Sequence, residues 1–184
     1  LCQDCGEHMV PFLEQLLAFF RSVRDLLGVD DMLSVSEAVA HVIVVLPPEP
    51  AAASLLAVAQ PLLESVHSVT ALPQANKPDL MRAADRMEQL ARILQVIGLS
   101  LANALPASCA VTCSEAYTIL DQLLERYGDV YFISERTSAL VRRALIFFGP
   151  QAEPTLAALL ERFATCFELT GYSLPLIHIS EPTR

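Results

Sequence analysis

The chain states one phrase twice, more than a hundred residues apart. "GEHMVPFLEQLLAFF" runs from Gly6 to Phe20 and "GPQAEPTLAALLERF" from Gly149 to Phe163. In each, a glycine stands five places before a proline, Pro11 or Pro154. Leucines follow at the same three offsets, Leu13, Leu16 and Leu17 in the first copy and Leu156, Leu159 and Leu160 in the second. Phe20 and Phe163 then match, and both segments reach a glycine at the same distance, Gly28 and Gly171. A weaker third copy starts at Pro50, with Leu55, Leu56 and Val58 in phase. Self-similarity at a spacing of tens of residues is the mark of a repeat architecture.

The phrase is helical. Phe12, Leu13, Leu16, Leu17, Phe20, Val23 and Leu27 recur at three- and four-residue steps, one face of a helix. Pro11 suits a first turn and Gly28 a stop. Asp30 or Asp31 is expected to cap a second helix reaching Leu46. Pro47-Pro48-Glu49-Pro50 ends it and opens a third, which runs to Leu72 and should kink at Pro61. "PQANKP", residues 73–78, reads as a linker before a helix from Asp79 to Asn103. Residues 105–112 read as a loop, after which Ser114 caps a helix ending at Tyr127-Gly128. A helix from Val130 to Phe148, a turn at Gly149-Pro150 and a last helix ending at Gly171 complete the pattern. The expectation is seven long helices and a stub at residues 1–8.

Short turns make neighbouring helices antiparallel. Pairs recurring at about 40 residues, with proline opening the second helix, are the HEAT pattern. The predicted fold class is therefore all-α, an α-solenoid of HEAT-like antiparallel pairs.

Charge and apolar content restrict function. The 184 residues carry a net charge of −9 and are 53% apolar. An acidic chain is a poor ligand for nucleic acid and favours basic partners. The longest uncharged stretch, Ile93 to Ser114, is interrupted by polar residues, so its continuous apolar core of about ten residues falls short of the ~20 a bilayer span needs. Five cysteines in no regular framework read as free thiols.

Few constellations could carry chemistry. Cys2, Cys5 and His8 have zinc-ligand character but lack a fourth ligand, and Cys109 and Cys113 are spaced for a loop. Small residues packing in a helix stub explain Cys2 and Cys5. His41 and His67 have no acid or nucleophile at a supportive spacing. No phosphate loop or nucleophilic triad is present, so no enzyme, cofactor or metal is expected. Arg136, Arg142 and Arg143, with Arg162 on the next helix, are the candidate site. A solvated face with helical partners accounts for them, and an anion or cargo contact is the sharper alternative.

Several segments also resemble a known family in order. "LCQDCGEHMVPFLEQLL" is similar to a helix pair in the middle of importin-β superfamily nuclear transport receptors, closest to the transportin-SR and importin-thirteen branch. "EAVAHVIVVLPPE", "AADRMEQLARIL" and "ERTSALVRRALIFFG" resemble the helices that follow there. The likeness covers residues 1–172 and leans to transportin-SR. It implies a karyopherin, shuttling between cytoplasm and nucleus. It also implies arginine–serine-rich protein cargo, release by GTP-bound Ran, and contact with nucleoporins, without nucleic acid or membrane. The family's Ran-binding repeats and its arginine-rich cargo helix correspond to segments outside residues 1–172, so no binding residue is carried over. The chain opens on Leu1, which reads as a fragment of a larger receptor. "SLPLIHISEPTR", residues 173–184, resembles one frame of a sequencing-library adapter and is expected to be non-native.

Overall fold

In a computed structural model, the structure describes residues 4–101, 107–149 and 153–171. The tail at 173–184 and Cys2 lie outside the described residues. Every regular element among them is helical: α1 (Gly6–Met9), a 3-10 turn (Val10–Phe12), α2 (Leu13–Val23), α3 (Val29–Ile43), α4 (Pro48–Thr70), α5 (Lys77–Leu101), α6 (Ala107–Tyr127), α7 (Tyr131–Phe148) and α8 (Glu153–Thr170). The chain is thus all-helical, as its periodicity requires.

The helices sort into two rows. α3, α5 and α7 lie side by side in one, and α4, α6 and α8 in the other. α4 packs across onto α5, α6 onto α7, and α2 lies against α3. One continuous core fills the space between, from Val39 and Ile43 through Leu62, Met87 and Ile97 to Leu123, Val141 and Phe147. Each large apolar side chain fully buried there contributes roughly 1.5–3 kcal/mol.

The three sequence copies fall at α2, α4 and α8. Phe20 and Phe163 are both buried, so the repeated phenylalanine is a core position. The leucine pair diverges. Leu17 is 3% exposed, whereas its counterpart Leu160 is 46% exposed.

Helix ends depart from the periodicity. Pro11 sits in the 3-10 turn, and α2 stops at Val23, short of Leu27. A guanidinium from another helix takes the carbonyl there, as Arg86 donates to Arg24 O at 3.2 Å. Gly28 is not a left-handed stop: it is the extended N-cap of α3, with φ −65° and ψ 164°. Asp30 and Asp31 therefore fall inside the first turn, where their charge favours the helix N-terminus. α4 runs unbroken through Pro61.

The linker is shorter than its composition suggests. Asn76 Oδ1 accepts from the Asp79 N–H at 2.9 Å, and Asp79 Oδ2 accepts from the Asn76 N–H at 3.3 Å. This reciprocal capping box starts α5 at Lys77. The expected loop at 105–112 is also corrected, since α6 begins at Ala107 and Ser114 is inside it. Cys109, Cys113, Tyr117 and Leu120 form a buried stripe at helical spacing. Burial of that stripe outweighs the weak helix propensity of "ASCAVTCS".

Candidate functional site

The candidate arginines all lie on α7, but they are not equivalent. Arg136 forms an ion pair with Glu88 of α5 at 3.0 Å, so its charge is compensated. Arg142 and Arg143 are half-exposed and have no acidic partner among the described residues. Burial, then the guanidiniums of Arg142 and Arg92, push the Arg143 pKa below its ordinary value. Arg92 on α5 is itself paired with Glu37 of α3 at 3.1 Å. The three arginines therefore divide into one cross-helix strut and two free donors.

Arg162 does not join them. It lies in the other row, where its Nε donates to Asp121 of α6 at 2.9 Å and Nη2 approaches Glu125 at 3.6 Å. The hydrogen bond to Asp121 raises the Arg162 pKa. The basic patch expected to extend onto α8 ends on α7.

The two rows differ in charge. α3, α5 and α7 together hold seven basic residues against seven acidic ones, with all seven basic residues on α5 and α7. α4, α6 and α8 hold two basic residues against eight acidic ones. Glu49, Glu64, Glu115, Glu125, Glu161 and Glu168 of that second row are exposed. The second row thus favours cations, whereas the first is balanced overall and concentrates its arginines on α5 and α7.

The thiols and imidazoles assemble no reactive centre. Cys5 is half-buried and His8 is exposed. Among the described residues no three His, Cys, Asp or Glu side chains come together to hold a metal ion. Cys109 and Cys113, expected in a loop, are buried one turn apart on α6. They line a cavity of about 60 Å³ between α4, α5, α6 and α7, together with Leu63, Leu90, Ile93, Tyr117 and Phe148. Burial pushes the Cys113 thiol up to about 12, so it stays protonated and a poor nucleophile at neutral pH. The buried Tyr117 hydroxyl beside it has no hydrogen-bond partner among the described residues. His41 is half-buried and His67 exposed. Among the described residues no helix is long and apolar enough to cross a membrane.

Periodicity singles out no role for Arg82, Asp85, Arg86 and Gln89, yet the structure gathers them with Arg24 and Asp25 around one cleft. Their three- and four-residue spacing marks a polar stripe on α5, which was the available signal. The ion pair that anchors it, Arg86 to Asp25, joins residues 61 apart and leaves no local trace.

No family model matches the chain, and no solved structure matches it. The chain is similar to the uncharacterized protein C11G11.07 of Schizosaccharomyces pombe, 25% identical over 171 residues. That match covers 93% of this chain and 18% of the yeast protein, so the chain spans less than a fifth of the length of the curated relative it matches.

Proposed function

We propose that the chain is a stretch of an α-solenoid nuclear transport receptor of the importin-β type, nearest to the transportin-SR branch, built of HEAT-like helix pairs. The carrying observation is the two-row packing, in which the main contacts of each helix are with helices one or two places along the chain. A compact bundle would bring distant helices together. In such a stack, small rotations between neighbours add up into a curved, compliant surface. The yeast relative, roughly 950 residues long by its coverage, has the length such a stack needs.

In this reading the protein is a carrier and not an enzyme. The acidic row offers a surface for basic cargo such as arginine–serine-rich segments, and Arg142 and Arg143 offer a separate contact for anionic groups. The full-length parent shuttles between cytoplasm and nucleus, meets nucleoporins on the way, and releases cargo to GTP-bound Ran. The test is a pull-down with the full-length parent. It is expected to retain an arginine–serine cargo and to release it when GTP-bound Ran is added. A parent that binds neither is a static HEAT scaffold, and the transport reading fails.

A further inference from the structure

A cleft of about 340 Å³ opens between the α2–α3 turn and the first half of α5. Arg24, Asp25, Leu27, Val29 and Met32 form one wall, and Arg82, Asp85, Arg86 and Gln89 the other. Three guanidiniums thus face it against two carboxylates, in a chain whose net charge is −9.

The bonds already made do not use these groups up. Arg86 is 6% exposed; its Nη1 donates to Arg24 O at 3.2 Å and to Gln89 Oε1 at 3.3 Å, and its Nη2 pairs with Asp25. Its buried Nε has no partner. Arg24 Nε and Nη2 donate to Asp25 Oδ2 at 3.3 and 3.0 Å, and its Nη1 donates to Pro61 O of α4 at 3.4 Å, which leaves two of its five N–H groups. One carboxylate therefore serves two arginines. Arg82 is exposed and uses a single nitrogen, Nη2, on Asp79 at 2.7 Å.

A strut holding the turn to α5 needs only Asp25 and Arg86. Arg82 adds like charge beside them at the cleft, and Arg24, which also ties the turn to α4 through Pro61 O, adds more. Burial first, and then Arg24 and Arg82, depress the Arg86 pKa, with Asp25 acting against them. Burial raises the pKa of the Asp85 carboxyl on this wall. An oxyanion in the cleft would relieve the repulsion and take up the free donors.

We propose that the cleft is a binding site for a phosphate-class anion, held by Arg82 and Arg24 over the buried guanidinium of Arg86. Phosphate suits it better than a carboxylate because it presents more acceptor oxygens to guanidiniums converging from two elements. The site is distinct from Arg142 and Arg143 and does not depend on the transport reading.

The test is calorimetric titration of the 184-residue chain with inorganic phosphate, with O-phosphoserine and with acetate, at constant ionic strength. Phosphate or phosphoserine is expected to bind with acetate much weaker, and the arm that binds more tightly distinguishes a free anion from a phosphorylated side chain. Arg82→Gln leaves the Arg86–Asp25 strut intact and should weaken phosphate about tenfold, the loss of one charge-assisted hydrogen bond. Asp85→Asn removes a like charge and should strengthen binding severalfold. Acetate binding as well as phosphate overturns the assignment. So does a response to Arg142→Gln/Arg143→Gln with none to Arg82→Gln, or the absence of binding heat at millimolar phosphate.

Discussion

At the scale of single residues, space and partners decide more than side-chain type. Gly128 follows α6 with an ordinary backbone, since the positive-φ residues described are Gly149 and Gly171. What it needs is room: a Cβ there would collide with Cys166 Sγ of α8 and with Leu124 O. Gly128→Ala is expected to cost about 1–3 kcal/mol, as overpacking does, read as a lower midpoint in urea denaturation. An unchanged midpoint would mean that α8 stands further from α6 than described. From the sequence, Gly128 is legible only as a helix stop, because the sulfur that excludes a methyl group lies 38 residues on. The candidate arginines show the same limit. Their positions on one helix are plain from "ERTSALVRRAL". That Glu88 satisfies Arg136, and that no acid among the described residues satisfies Arg142 or Arg143, depends on how α5 lies against α7.

At the scale of elements, helix interiors follow from periodicity and helix ends do not. The apolar stripes of α4 and α7 are buried as their spacing requires. The ends are set by side chains from elsewhere. Arg126 near the end of α6 donates to the carbonyls of Thr70, Leu72 and Pro73, the last of these at 2.9 Å, and so takes up acceptors that the end of α4 leaves open. The neighbouring Tyr127 hydroxyl accepts from the Ala75 N–H at 3.0 Å. The segment that reads as a linker is thereby pinned to α6. Arg86 does the same at the end of α2. A cation at a helix C-terminus is favoured by its dipole as well as by the hydrogen bonds. Arg126→Met keeps the apolar stem and removes the donors. Because Arg126 is exposed, the expected loss is about 1 kcal/mol, below the roughly 1.5–3 kcal/mol of a hydrogen bond to a charged group. Amides of residues 71–76 should also exchange faster. Wild-type stability together with unchanged exchange would show that the linker keeps its shape without α6.

At the scale of the whole molecule, the repeat in the sequence foretold alternating helices, and the structure arranges them in two rows. Periodicity could not say which faces remain uncovered. α2 lies against α3, and α8 is packed mainly against α6. Large apolar side chains stand exposed on both: Phe12 and Phe19 near α2, then Leu26 at 80%, and Leu160, Phe167 and Leu169 on α8. Burying each fully would contribute roughly 1.5–3 kcal/mol, less for those already half covered. Association costs about 4–15 kcal/mol in lost freedom and ordering. Only several of these side chains buried together exceed that, so weak, concentration-dependent contact between copies is expected rather than a tight dimer. Residues 1–172 made alone should be helical by circular dichroism and should self-associate in sedimentation equilibrium. Replacing Phe19 and Phe167 by serine should shift the population toward monomer without loss of helicity, since neither belongs to the buried core. A wild-type chain that stays monomeric across the concentration range would show that α2 and α8 tolerate water as they stand. The helix stack would then be closed at both faces without a neighbour.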